Sequence, residues 1–165
     1  MKISPTFYIV ISLLVSCATP YQKVGTDETG GHSFSRLSED VFTVRFDGNG
    51  FTEPKKASDF ALLRAAEICI EHNFKYFSIL GEGDRSGSEV IKTGGFAHTT
   101  GTLNSYGGYS GTTVYTASEM PIFKPGKEIT IRCYVKMPGG HAGKVEDAAS
   151  VVASLRAQYK LDKGA

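Results

Sequence analysis

The sequence predicts an α+β two-layer sandwich, a mixed β-sheet with two helices on one face. Three observations lead there. Residues 41–46 and 128–137 alternate apolar and polar side chains with a period of two. Residues 55–73 and 144–161 instead place apolar side chains at spacings of three and four. The two kinds of segment are interleaved along one chain, which suits helices packed on a sheet. With 165 residues, 41% apolar and 21% charged, the chain holds one domain with a real core. That apolar fraction and only six prolines exclude collagen-like, mucin-like and globally disordered classes.

The first segment reads as an address. Residues 7–15 (FYIVISLLV) form a nine-residue apolar run, too short for the roughly 20 residues a spanning helix needs and of the length of a secretory h-region. Leu14-Val15-Ser16-Cys17 follows and resembles a bacterial lipobox: an aliphatic residue, a small or β-branched one, a small one, then Cys. The resemblance implies that the Cys17 thiol receives a diacylglyceryl group, that a lipoprotein signal peptidase cuts between Ser16 and Cys17, and that the new amino group is acylated. Residues 1–16 are then a signal peptide and Cys17 the lipidation site. Ala18 rather than Asp after the Cys implies, by the same resemblance, the outer membrane with the protein facing the periplasm. Lysine and arginine number 18 against 17 acids, so charge does not recruit the chain to anionic lipid and leaves no footprint for nucleic acid. The membrane partner is engaged through the N-terminal lipid.

Residues 18–31 (ATPYQKVGTDETGG) carry few large apolar side chains and several turn formers. They read as a flexible tether completing a 17–31 linker, with an r.m.s. span of roughly 20 Å for a coil of that kind. The folded domain then occupies residues 32–165. Its first strand is 41–46, with Phe42, Val44 and Phe46 on one face and Thr43 and Arg45 on the other. Asp47-Gly48-Asn49-Gly50 ends it as a loop. Thr52 is placed to cap the next helix, with Pro54 in its first turn. Along 55–73, Leu62, Ala65, Ala66, Cys69 and Ile70 share the predicted core face, and Arg64, Glu67 and Glu71 the polar one. Residues 74–80 (FKYFSIL) form a nearly continuous apolar strand, so a βαβ start is expected, right-handed if the strands run parallel in one sheet.

The middle is predicted as irregular. Residues 81–88 (GEGDRSGS) read as a loop, and residues 94–111, with six glycines, as a mobile Gly/Tyr/Thr loop or at most a ragged ribbon. Residues 112–117 and 128–137 are expected to pair antiparallel around Pro125-Gly126. In the second of these Ile129, Ile131, Cys133, Val135 and Met137 point inward. After Pro138-Gly139-Gly140, residues 144–161 form the second helix, with a stripe of Ala148, Val152, Leu155 and Tyr159.

Several of these residues together resemble a family of small bacterial lipoproteins of unassigned biochemical role. The pattern is a Gly-Tyr-Ser-like start, a strand ending Phe-x-Gly-Asn, a Thr, a Leu-Leu-Arg-Ala-Ala-Glu helix and an aromatic strand. Here it reads Gly31-His32-Ser33, Phe46-Asp47-Gly48-Asn49, Thr52, Leu62-Leu63-Arg64-Ala65-Ala66-Glu67 and Phe74-Lys75-Tyr76-Phe77. His32 replaces the usual aromatic, and Asn73 stands where a glycine often ends the helix. The resemblance covers about a third of the chain and implies no activity.

Signals for chemistry are sparse. His32, His72, His98 and His141 have no metal-ligand spacing, so no metal is expected. Gly108-Tyr109-Ser110-Gly111 is not a nucleophile elbow. Gly81-Glu82-Gly83 with Gly87 is not a dinucleotide loop, since Glu82 and Asp84 would repel pyrophosphate, and no cofactor is expected. Arg64 and Glu67 read as an exposed ion pair contributing a few tenths of a kcal/mol. A candidate partner face is the sheet surface away from the helices, with Arg45, Tyr76, Arg132 and Tyr134, because Tyr and Arg often anchor interfaces. With Cys17 lipidated, Cys69 and Cys133 remain in an oxidising compartment. Both lie on core-facing stripes, at an ideal Cα separation of about 7 to 8 Å, near the limit for a disulfide, so a bond and two buried thiols both stay open. The functional expectation is a non-catalytic lipoprotein that binds or scaffolds an envelope protein or glycan. The alternative is a periplasmic hydrolase using the Gly/Tyr-rich loop.

Overall fold

The computed structural model describes residues 17–25, 30–139 and 143–161. The predicted signal segment, residues 1–16, and His141 lie outside the described residues. Strand β1 (Gly31–Arg36) and strand β2 (Val41–Asp47) lead into helix α1 (Pro54–Glu71). Then come β3 (Tyr76–Asp84), β4 (Gly87–Leu103), β5 (Tyr109–Lys124), β6 (Gly126–Tyr134), β7 (Val145–Asp147) and helix α2 (Ala148–Tyr159). Five strands form one sheet in the order β1-β2-β6-β3-β7, and β4 and β5 form a second sheet of their own. None of the helices among the described residues is long and apolar enough to cross a membrane.

This is the α+β sandwich expected, with one difference in its sheet. Every strand pairing is antiparallel; β2 and β3 run in the same direction only because β6 lies between them. The parallel component is a single bridge, Lys23 with His32. Strand β1 was not expected. It is short and only Gly31 in it is buried, so it carries little periodic signal, and its pairing with β2 places it.

The period-two signal holds where a strand covers the core. Phe42, Val44 and Phe46 of β2, Ile129, Ile131 and Cys133 of β6, and Phe77 of β3 are buried. Each large apolar side chain of that kind contributes about 1.5 to 3 kcal/mol on burial. Strand β6 ends at Tyr134, so Val135 and Met137, expected inward, are exposed. The core stripe of α1 is also shifted. Phe60, Ala61, Leu63, Ala65, Ala66, Ile68 and Cys69 are buried, whereas Leu62 is only partly so and Ile70 is exposed. This helix is covered by the sheet, by α2 and by the N-terminal segment, and three neighbours need a wider apolar arc than one stripe. Phe60 stands at the meeting point, with ring centroids 5.2 Å from Tyr21, 5.2 Å from Phe46 and 5.0 Å from Tyr159, all edge-on, the arrangement aromatic quadrupoles favour.

The ends of the helices follow local chemistry. Helix α1 has Glu53 as its N-cap with no side-chain capping bond, and Pro54 at its start. Asn73 takes the left-handed conformation just beyond the last turn, at φ 64°, which Asn tolerates better than most residues. Asp147 caps α2 by accepting from the Ser150 N–H at 2.8 Å. The chain before it, expected to be helical from residue 144, is instead the edge strand β7.

Cys69 and Cys133 are joined in a disulfide with Cα atoms 6.0 Å apart. Ala65 and Ala66 face the sheet from the same helix and are fully buried. Small side chains let α1 sit closer than the ideal helix-to-sheet spacing, and the bond spans that gap.

The largest departure lies between β3 and β6. Residues 81–84, expected in a loop, continue β3 after a register shift between Ile79 and Gly81. The expected pairing of residues 112–117 with 128–137 does not form. Pro125 does separate two strands, but β5 turns back on β4 and β6 pairs with β2 and β3. The glycine-rich stretch is thus a regular hairpin, paired from Gly87–Lys124 to Leu103–Tyr109 with one shift at Gly94.

Candidate functional site

Two constellations stand out: a socket that holds the chain just after Cys17, and the hairpin.

The socket begins in the loop after β2. A Cβ on Gly48 would lie 2.7 Å from the Thr52 Cβ, so only glycine lets the loop close tightly. Asn49 sits at its centre and uses every polar group. Its Nδ2 donates to the Cys17 carbonyl at 2.8 Å, and its backbone N–H donates to Thr19 Oγ1 at 2.8 Å. Its Oδ1 accepts from the Phe51 N–H at 3.1 Å and from Thr52 Oγ1 at 3.0 Å. Thr52 Oγ1 in turn accepts from the Thr19 N–H at 3.0 Å. Thr52 is therefore no helix cap, because its hydroxyl is committed to Thr19. Thr19, Thr52 and Tyr21 are all buried.

The same segment continues across α1. Gln22 and Val24 exchange backbone hydrogen bonds with His32 at 2.8 and 2.9 Å, which adds a short parallel edge to β1. The Tyr21 hydroxyl donates to Glu67 Oε2. Glu67 also accepts from Arg156 of α2, with Nη2 to Oε1 at 2.7 Å, and lies 3.3 Å from Arg64 Nη1. Arg64 forks onto Glu71 at 2.6 and 3.0 Å and stacks over the Phe34 ring at 5.4 Å. The side chains of Arg64 and Glu67 are only 14% and 12% exposed. Thus Arg64 and Glu67 are not the exposed pair expected, but the hub of a network joining the N-terminal segment to both helices. Charge-assisted hydrogen bonds of this kind, out of bulk water, are roughly twice as strong as neutral ones.

Burial and then the Glu67 carboxylate hold the Tyr21 phenol protonated far above its usual range. Burial, and then the Arg64 charge, push His32 down to about 4. His32 lies 4.9 Å from the Tyr21 ring, centroid to centroid, and serves as a neutral packing surface.

Residues 17–24 are consequently not a tether. The expectation failed because composition shows only that the segment lacks a core of its own. What holds it is Asn49, Thr52 and Glu67, distant in sequence. These belong to the Gly-Asn, Thr and Arg-Ala-Ala-Glu elements of the lipoprotein-like pattern, which the structure brings together around one segment. That co-occurrence was the available signal.

The hairpin is the opposite kind of feature. Strand β4 has 17 residues and β5 has 16, so the ribbon is about 55 Å long. All of β4, and β5 from Tyr109 to Pro121, is exposed. Residues 93–118 contain no Asp, Glu, Lys or Arg. Charge is confined to the base, where Lys124 meets Glu89. Near the far end a shallow concavity of about 350 Å³ is lined by Thr100, Gly101, Thr102, Ser110, Gly111 and Thr112, a surface of hydroxyls and bare backbone.

The candidate partner face is where the sequence placed it, away from the helices, but its polar groups largely serve one another. Arg45 pairs with Glu128 and Arg132 lies 3.4 Å from Asp40. Tyr76 stands opposite Tyr134 in register, and the Tyr134 hydroxyl lies 3.1 Å from Ser78 Oγ. The face is thus a ladder of cross-strand pairs.

Comparison with known proteins returns no matching family model, no matching curated protein and no matching solved structure.

Proposed function

We propose that the chain is a lipoprotein anchored through Cys17 to the outer membrane and facing the periplasm. Its role is non-catalytic: it presents a binding arm at the membrane and captures an extended segment of another envelope protein by strand addition. One observation carries this reading, the β4–β5 hairpin with an uncharged distal half and outer edges that pair with no other described strand. Open strand edges recruit further strands, and proteins that avoid this blunt them with charge, proline or bulges. Here the bulge at Gly94 and Pro121 both lie toward the base, while the distal ribbon leaves both edges open. The lipobox supports the anchor. The near-neutral chain supports lipid rather than lysine as the means of attachment.

Two experiments test it. Fatty-acid labelling in a Gram-negative host should mark the parent and not Cys17→Ser; equal labelling would reject the anchor. For the arm, a photo-crosslinking residue is placed at Tyr115 or, on α2's C-terminal end, at Lys160, in the full chain in intact cells. Adducts to another envelope protein are expected from Tyr115 alone. No adduct from Tyr115, or equal adducts from both positions, would reject the arm.

A further inference from the structure

We infer that the loop carrying Asn49 is a bilayer-contacting surface, with Phe51 inserted at the boundary between headgroups and acyl chains beside the lipid on Cys17. The inference rests on the lipid-anchor reading and goes beyond it, because an anchor alone leaves the orientation of the domain open.

The argument starts from distance. A lipidated Cys followed by a flexible linker of about 14 residues would let a domain wander roughly 20 Å from the surface. Here the first residues after the lipid site are docked instead. The Cys17 carbonyl is itself bonded to Asn49, and Thr19, two residues on, is buried. A residue advances the chain by at most about 3.6 Å, so the acylated sulfur and amino group stay within a few ångström of this loop. The loop must lie against whatever holds the acyl chains.

What that surface displays is Phe51, 72% exposed. The Asn49 side chain holds Cys17 through Nδ2 and the Phe51 backbone through Oδ1, so one amide sets anchor and aromatic side by side. Gly50, between them, packs against the hairpin base: a Cβ there would lie 2.2 Å from Ile122 Cγ2. The loop is thereby braced from the arm side as well. Of the two lysines that open α1, Lys55 pairs with Asp59 and Lys56 lies over the Phe60 ring, so the contact is apolar and works on a zwitterionic surface.

The chain contains no tryptophan, so Phe51→Trp supplies a single indole emitter at an exposed position. The full-length variant is made in a lipidating host, its Cys17 lipid is checked by mass, and it is reconstituted into phosphatidylcholine vesicles with bromine on the acyl chains. Insertion to the depth of an interfacial aromatic should quench about half of the emission, and the Cys17→Ser form mixed with the same vesicles should keep its emission. Adding Asn49→Ala to the lipidated Phe51→Trp protein should lower the quenching toward the unlipidated level. A lipidated Phe51→Trp protein whose indole emission is unquenched would overturn the inference and leave the anchor standing. Quenching that Asn49→Ala does not change would overturn the part given to Asn49. A chain with no lipid mass on Cys17 would overturn both readings together.

Discussion

Two segments look equally loose in sequence, residues 18–24 and residues 94–111, and they come to opposite ends. The first has few large apolar side chains and becomes part of the body, because Thr19 and Tyr21 find complementary partners on α1 and in the loop after β2. The second, with six glycines among its eighteen residues, becomes part of a regular ribbon, yet buries almost nothing. Looseness in composition therefore reports the lack of an independent core and nothing about docking. A segment with two well-placed anchors is held; a segment inside a hairpin of sixteen residue pairs satisfies its own backbone and stays in solvent. Two-stranded ribbons standing alone are marginal in water, so the arm relies on its base or on a partner, whereas the docked segment relies on Glu67 and Asn49.

The comparison is sharpened first at the body. Replacing Cys69 and Cys133 together by Ala opens a loop of sequence separation 64. It should cost about 4 kcal/mol in the chain-entropy view, read as a shift in the urea midpoint. An unchanged midpoint would show that the bond adds nothing to the packing around it.

Glu67→Ala comes next. It removes the carboxylate that Arg64, Arg156 and the Tyr21 hydroxyl share, so a loss of about 3 kcal/mol is expected, with cleavage by trypsin after Lys23 becoming fast. Stability loss without faster cleavage there would separate the helix–helix role of Glu67 from its hold on the N-terminal segment.

A smaller effect is expected with pH. His32 is depressed to about 4 in the folded chain, against about 6.5 when unfolded. Between those values the unfolded chain binds more protons, so stability is full above 6.5 and falls as the pH drops toward 4. Partial solvent screening limits the loss to about 1 to 2 kcal/mol. His32→Gln should flatten this slope in unfolding curves at pH 7, 5.5 and 4.5, and an equally steep slope would place the titration elsewhere.

The smallest effect is expected at the arm. Joining Thr93 to Ser118 through Asn-Gly, a pair suited to a two-residue turn, removes the distal ribbon. The body should lose less than about 0.5 kcal/mol, as for changes away from packed features. A large loss would mean that the ribbon is structurally coupled to the sandwich.

Much of the body was legible from period alone. Phe42, Val44 and Phe46, and Ile129, Ile131 and Cys133, alternate because one face of their strands is buried and the other is not. Both helices, and the shared layer of Cys69 and Cys133, follow from the same logic. The exact stripe of α1 was not legible, since Phe60, Leu63 and Ile68 answer to neighbours other than the sheet. Nor was the partner of β5: alternation says that a strand has a buried face, and β5 has none. Residues 18–24 failed for a further reason. Tyr21 meets Glu67 across 46 positions of chain, and no local pattern encodes that meeting. The sequence did hold a trace of it, in the Gly-Asn, Thr and Arg-Ala-Ala-Glu elements, but as a likeness without a mechanism.

Strands β3 and β6 are neighbours in the sheet, and β4 and β5 lie between them in the chain. The arm is therefore an insertion into what would otherwise be one tight turn. Removing two residues from each of its strands would shorten it by about 7 Å and keep the same side chains on the same side. Reach then becomes a quantity that small in-frame deletions and duplications can adjust in even steps without touching the body, a ruler graduated by the pleat.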